Sequence, residues 1–425
     1  MEALWTQVKE EAVQFLAERR QQMVDWVLKF LQIPTMNPPG ENYTKFAELC
    51  RELFRQLEIP YDCLEVPESV VKEQAPYAKG EKRLIILSSI GNKEKGPELH
   101  FNGHYDVVPA GDGWKWSSPF EPKIENGIVY GRGAADMKSA LVAMTFAVAA
   151  LKPYEDKLPG RISLSFVPDE EMGGATGTGY LIRSNLVRPS FCIVGEPTGI
   201  SNIWIAHKGR IEGRITVSGI QAHGSVPYKG KNAFMRAVKL MAWLDRHYGE
   251  LLNARTSKYE TDPGAEHPSI LWGGVASGGS KATIVPGKFE VTFDRRILPE
   301  EDADDVLSEL LQLIYRGAEE TGIPEGDIRA EGRVIRYPCI GGIAERETAA
   351  FVNTAKFLKH QPPRFILGPG GTDLTHFTEN GVRGVVAGPG TWEQAHTQDE
   401  HIRLDEIWDA SEFYAIFAVH YLSAV

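Results

Sequence analysis

Short apolar segments that alternate with helical ones most constrain the fold of this 425-residue chain. The strand-like runs of the first part are 83–89, 98–102, 161–168 and 190–194. The helical stretches outside the middle of the chain are 4–31, 43–57, 138–151, 347–358 and 404–425. Strands that alternate with helices predict an α/β domain built on a sheet.

The pattern changes from about residue 209. Two helical stretches and four strand-like runs follow: 232–248 and 302–321, then 211–218, 270–276, 289–296 and 328–334. Two helices and four strands predict a ferredoxin-like α+β unit. We therefore divide the chain into a first domain (1–208), an inserted unit (209–334) and a segment that resumes the first domain (335–425).

Composition excludes several classes of protein. The chain has 46 Lys and Arg against 57 Asp and Glu, a formal net charge of -11, and no basic cluster that would bind a nucleic-acid backbone. It lacks the roughly 18 consecutive apolar residues of a membrane span, and its N-terminus lacks a basic patch followed by an apolar stretch. We expect a cytoplasmic protein with neither nucleic-acid nor membrane partners. The four cysteines form no CxxC pair, which leaves no sulfur-based zinc site.

Histidine and acidic residues follow the apolar strands. His104 and Asp106 come directly after the second strand-like run and, two positions apart, point the same way. One imidazole nitrogen can bind a metal while Asp106 fixes the tautomer through the other. The alternative is an ordinary histidine in a loop at a strand end.

Two further acidic segments have alternatives of their own. Asp136 lies in a Gly/Ala-rich turn ahead of a helix, where an aspartate is also a preferred N-cap. Asp169, Glu170 and Glu171 end the third strand, and consecutive carboxylates repel one another unless a cation lies between them. One carboxylate can then bind the cation while its neighbour accepts a proton from water. A solvated acidic turn is the competing interpretation.

Glu196 follows a fourth apolar strand, and His396 follows a Gly/Pro-rich loop. Five separated segments thus each offer a nitrogen or oxygen ligand, without the short local spacing of a zinc finger. Catalytic sites with two metal ions are assembled in this distributed way.

From HYDVVPAG to AHTQDEHI, the five motifs and their order resemble the family of aminoacylase, carboxypeptidase G, acetylornithine deacetylase and succinyl-diaminopimelate desuccinylase, which are dinuclear zinc hydrolases. The resemblance implies a mixed-sheet zinc-peptidase catalytic domain with an inserted ferredoxin-like lid through which relatives dimerise. It implies a cis peptide after Asp136 and makes Glu170 the general acid/base and Asp106 the carboxylate that orients the first histidine. The implied ligands are His104, Asp136 as the bridge between the metals, Glu171, Glu196 and His396.

Substrate residues are also implied by the resemblance. His223 stands where relatives use a lid histidine, often across the dimer, to polarise the scissile carbonyl. Arg296 matches an arginine that binds the substrate carboxylate, with a salt bridge inside the lid as the alternative. Gly371 and Thr372, in the GGTD segment, resemble a loop that holds the same carboxylate.

Two positions depart from the family pattern. Thr283 stands where many relatives have Asn, and Lys208 falls within the Arg-Arg-Gly run of desuccinylases. A lysine is a point charge, so bidentate recognition of a carboxylate is not assured there. Both departures concern the substrate and leave the predicted ligands intact.

The resemblance implies a metal-dependent amidohydrolase or deacylase that acts on a small N-acyl amino acid or peptide-like amide. It implies two Zn²⁺ per subunit, with Co²⁺ or Mn²⁺ as alternatives, and a homodimer or higher homo-oligomer. A hydrolase of a carbamoyl group or an aryl amine, and a dipeptidase or carboxypeptidase, are alternative activities. A binding protein that merely retains the fold fits the intact ligand set poorly.

Overall fold

The computed structural model describes residues 2–424, in two compact units. The first comprises the chain up to Ile205, Gly341–Ile366 and the chain from Thr372 onward; the second comprises Ala206–Ile340 and Leu367–Gly371. Val425, the last residue of the predicted closing helix, lies outside the described residues.

The helices are α1 Glu2–Glu18, α2 Arg20–Leu31, α3 Tyr43–Gln56, α4 Glu68–Gln74, α5 Lys138–Leu151, α6 Thr178–Arg183, α7 Ala233–Asn253, α8 Ala303–Glu320, α9 Glu345–Leu358, α10 Leu374–Thr378 and α11 Leu404–Ser423. The strands are β1 Asp62–Glu65, β2 Leu84–Gly91, β3 Glu98–His104, β4 Lys123–Glu125, β5 Ile128–Tyr130, β6 Arg161–Val167, β7 Phe191–Val194, β8 Asn202–His207, β9 Gly209–Ser218, β10 Ser269–Gly278, β11 Lys288–Ile297, β12 Ile328–Arg336, β13 Cys339–Ile340, β14 Arg364–Gly368, β15 Arg383–Val386 and β16 His401–Arg403. In the part of the chain described here, each helix is too short or too polar to cross a membrane.

A mixed sheet organises the first unit. Its strands run in the order β1-β2-β6-β3-β7-β15-β8. β3 is parallel to β6 and β7, and β7 is parallel to β15, whereas β1, β2 and β6 pair antiparallel. Every residue of β3 and of α5 is buried, and α11 packs against α5. The predicted α/β class with a mixed sheet is confirmed.

The second unit has the element order β9-α7-β10-β11-α8-β12. Its antiparallel sheet runs β10-β11-β9-β12, and one face carries the core that the two helices cover. This is the predicted ferredoxin-like arrangement, which is confirmed.

The single opening helix predicted over 4–31 is wrong. Two helices, α1 and α2, are separated at Arg19, whose backbone (φ -111°, ψ 14°) leaves the helical range. α1 packs mainly against α11 and α2 mainly against α5. Apolar spacing remains helical on both sides of a one-residue break, so the pattern does not reveal it.

Candidate metal centre

Three parallel strands deliver their acidic and histidine residues to one edge of the sheet. His104 ends β3, Glu170 and Glu171 follow β6, and Glu196 follows β7. Because β3 is parallel to both neighbours, the carboxyl ends of these strands meet at the same edge.

Asp136 lies between two histidines. Its Oδ1 atom is 3.0 Å from Nε2 of His104, and its Oδ2 atom is 3.3 Å from Nε2 of His396. The alternative N-cap interpretation is wrong, because helix α5 has Met137 as its N-cap and no side-chain capping bond. The 136–137 peptide is cis, as the resemblance implies.

Each histidine also faces a glutamate of its own. Glu196 Oε1 lies 3.6 Å from His104 Nε2, and Glu171 Oε2 lies 3.1 Å from His396 Nε2. Two ligand atoms on a tetrahedral ion, each bonded at about 2.1 Å, are about 3.4 Å apart. The donor set and its spacing therefore fit two neighbouring cations that share Asp136.

The ionisation of the cluster reflects its excess of buried carboxylates. Burial, reinforced by the charge of Asp136, raises the pKa of Glu196 to about 7 and also raises the pKa of Glu171. Burial alone would lower the pKa of His396, but its hydrogen bonds with Asp136 and Glu171 raise it to about 11. The carboxylates thus favour the protonated, positively charged form of His396. Divalent cations bound at the cluster would supply the same positive charge.

Asp106 touches both His104 and the acidic turn. His104 Nδ1 lies 2.9 Å from the backbone oxygen of Asp106 and 3.5 Å from its Oδ1. The Asp106 carboxylate also accepts the backbone N–H groups of Glu170 (3.1 Å) and Glu171 (3.2 Å). Asp106 therefore orients the histidine chiefly through its backbone and holds the turn through its side chain.

Glu170 lies in the same cluster and is 8% exposed. A carboxylate oxygen of Glu170 lies within 4.8 Å of donor atoms of His104 and Glu196. A carboxylate so placed can receive a proton from a molecule bound between those groups.

Sequence reasoning missed a buried network around Asp169, which adopts a left-handed backbone (φ 66°) immediately before Glu170. Asn37 Nδ2 donates to both Asp106 Oδ2 (2.9 Å) and Asp169 Oδ1 (3.0 Å). The remaining partners of Asp169 are Tyr43, Arg83 and Thr176. Asn37, Tyr43 and Arg83 lie 86 to 132 residues from Asp169 and so leave no local signal in the sequence, although the NPPG turn marks the position of Asn37.

Among the predicted substrate residues of the second unit, His223 is exposed. Its Nδ1 accepts the N–H of Ser225, so the neutral ring carries its proton on Nε2. Thr283 lies in the adjoining loop, where its backbone oxygen accepts the N–H of Gly224. Arg296 Nε donates to Asp294 Oδ1 at 2.7 Å, which is the alternative salt bridge.

Lys208, Gly371 and Thr372 occupy structured positions. Lys208 is 5% exposed and its Nζ donates to the backbone oxygen of His267 at 2.7 Å. A Cβ on Gly371 would lie 2.7 Å from Cδ of Arg336, so the chain passes close to that side chain. Thr372 is buried, and its hydroxyl accepts the N–H of Leu374 at the start of α10. Their substrate-binding roles stay predictions.

Comparison with known proteins identifies the family. Residues 100–420 match the model of peptidase family M20/M25/M40. The chain belongs to this family. It is 28% identical over 320 residues to a succinyl-diaminopimelate desuccinylase of Stenotrophomonas maltophilia, covering 70% of this chain and 83% of that protein. The family is metal-dependent, and its membership makes this chain a hydrolase.

Solved structures show the same fold. Human carnosine dipeptidase 1 superposes with a TM-score of 0.76 at 17% identity, covering 98% of this chain and 99% of that one. A dinuclear metal-binding M20 peptidase of Bacillus subtilis has a TM-score of 0.67 at 16% identity, covering 96% and 100% of the two chains.

Proposed function

We propose that this chain hydrolyses the amide C–N bond of an N-acyl amino acid or a small peptide-like substrate with two bound divalent cations. The observation that carries the proposal is that the two carboxylate oxygens of Asp136 face two different imidazoles, each beside its own glutamate. The proposed ligands are His104, Asp136, Glu171, Glu196 and His396. We propose Zn²⁺ as the native ion, with Co²⁺ or Mn²⁺ as alternatives.

Bound there, the cations would supply the Lewis acidity that lowers the pKa of a water molecule and polarises the amide carbonyl. Glu170 would accept the proton that the water loses and return it to the leaving nitrogen, so one carboxylate serves both proton transfers. Asp106 holds the backbone of Glu170 and thereby fixes where that proton is received. His223 would donate a hydrogen bond from Nε2–H to the oxyanion as it forms and would keep its proton.

The acyl amino acid class is supported by the desuccinylase relative, whose name describes removal of a succinyl group from an amino acid. Lys208 leaves a second class open. Its ammonium is buried and donates to a backbone carbonyl, so the structure preforms no bidentate carboxylate site at that residue. A carbamoyl group or an aryl amine would then be the alternative C–N substrate.

A hydrolysis screen tests the reaction. Protein loaded with Zn²⁺, Co²⁺ or Mn²⁺ should cleave members of one class among N-acyl amino acids, dipeptides, carbamoyl compounds and aryl amines. We expect Glu170→Gln to keep two equivalents of metal and to lose about 10²- to 10⁴-fold in turnover. Glu94→Gln, at an exposed site, serves as the control. Normal turnover in metal-loaded Glu170→Gln would refute the acid/base assignment.

We also propose that two copies associate through the second unit. β10 is an edge strand of its sheet and exposes Leu271 (60%) and Val275 (65%), and α7 exposes Phe234, Met235 and Val238. Exposed apolar side chains next to an open strand edge favour association. Val275→Glu should shift the mass measured by light scattering from dimer to monomer, and a monomeric parent protein would contradict the proposal.

A further inference from the structure

A buried carboxylate lies four residues after His396. Glu400 has no exposed surface. The sequence places it in the AHTQDEHI motif, where it has no assigned role. Its side chain points at the loop that carries Asp136.

Four donors converge on this one carboxylate. Oε1 of Glu400 accepts the backbone N–H groups of Ala135 and Asp136, both at 2.9 Å. Oε2 accepts the backbone N–H of Gly133 at 3.0 Å and Nη1 of Arg132 at 2.6 Å. The loop before α5 is therefore wrapped around the Glu400 side chain.

The loop around Glu400 is closely packed and leaves little room for another conformation at Gly133. Gly133 has a left-handed backbone (φ +90°), and a Cβ there would lie 3.0 Å from Val107. A buried N–H group left without an acceptor costs about 1–3 kcal/mol. A carboxylate accepts at both oxygens, whereas a glutamine amide accepts at only one and would direct N–H groups at the others. An anionic side chain at position 400 therefore satisfies all four donors of this loop, which a glutamine cannot do.

The same segment of chain also carries His396. Both His396 (φ 62°) and Asp399 (φ 55°) have left-handed backbones. Asp399 Oδ1 accepts the backbone N–H groups of Lys115 (2.7 Å) and Trp116 (3.0 Å), which anchors the segment on its other side. Glu400 therefore connects the loop of Asp136 to the segment of His396.

We propose that Glu400 is a positioning residue that fixes the Asp136 carboxylate relative to His396 and so sets the geometry of the bridged metal pair. The inference rests on the proposed function, because it takes those two side chains to be metal ligands. Residues that orient the ligands of a metal typically change its affinity about 10- to 100-fold when replaced.

Co²⁺ binding to the full-length protein tests the proposal. Affinity would be measured by competition with a chelator, and coordination geometry by the visible absorption of bound Co²⁺. Glu400→Gln should weaken binding about 10- to 100-fold and alter the spectrum. The matched control is Glu347→Gln, another buried glutamate of the first unit, which pairs with Arg383 and accepts the N–H of Ala344. It should lower the thermal midpoint and leave Co²⁺ affinity and spectrum unchanged.

Glu400→Asp decides the question if the glutamine variant does not fold, as judged by circular dichroism. It keeps the charge but is one methylene too short to reach both ends of the loop, so affinity and spectrum should again change. Unaltered affinity and spectrum in a folded position-400 variant would overturn the proposal, as would an equal loss in Glu347→Gln. Failure of the parent protein to bind Co²⁺ would instead overturn the proposed function.

Discussion

Replacement of Asp169 by Asn should strongly destabilise the first unit. Asp169 and Arg83 are both fully buried, and Arg83 Nε donates to Asp169 Oδ2 at 2.8 Å. Asp169 Oδ1 accepts bonds from Tyr43 (2.9 Å) and Asn37 (3.0 Å). An asparagine leaves the guanidinium buried without a counter-charge, and removing one partner of a buried ion pair costs about 3–5 kcal/mol. Because domains are stable by only about 5–15 kcal/mol, this is a large part of the total.

Urea unfolding followed by circular dichroism measures this loss. Glu65→Gln is the matched control, because Glu65 pairs with Lys82 at the surface, where both side chains are more than half exposed. Such pairs contribute about 1 kcal/mol or less. A loss below about 1 kcal/mol in Asp169→Asn, similar to that of the control, would refute the argument that this charge pair holds the turn before Glu170.

Three further predictions concern histidines. His104→Ala and His396→Ala should each lower the metal content measured by elemental analysis, and unchanged content would exclude them as ligands. His223→Ala should lower kcat more than it raises KM if the ring polarises the carbonyl, whereas a change in KM alone would indicate simple binding. Burial, with a contribution from nearby Arg161, lowers the pKa of His100 to about 3, so folding favours its neutral form. Its stabilisation is complete above the unfolded pKa of about 6.5 and is lost as the pH falls towards 3. Between about pH 6 and about pH 4 the parent protein should lose about 1.4 kcal/mol per pH unit more than His100→Asn in urea titrations, and equal slopes in that range would contradict this.

Long buried elements were predictable from the sequence. The predicted helix over 138–151 matches α5, and the strands that end at His104 and before Asp169 lie within two residues of their predicted bounds. A continuous apolar run indicates a buried strand or helix from the segment's own sequence, without knowledge of the elements that pack against it. β4, β5 and β16 have only three residues each, which is too short for a periodic pattern to show.

The residues of the site could be predicted from the sequence, whereas the contacts between them could not. An aspartate before a helix is locally indistinguishable from an N-cap, and only the positions of His104 and His396 show that Asp136 faces two imidazoles. Asp169 meets Arg83 from 86 residues away, and such a partner is set by the tertiary fold. For Arg296 the resemblance predicts a role that the observed contact does not require. Its guanidinium, which the resemblance assigns to substrate, pairs with the nearby Asp294.

Anomalous diffraction from a crystal of the Zn²⁺-loaded protein tests the central claim most directly. We predict two zinc peaks about 3.5–4 Å apart, one bound by His104 and Glu196, the other by His396 and Glu171, with Asp136 bonded to both. Zinc peaks away from these side chains, or two ions without Asp136 between them, would contradict it.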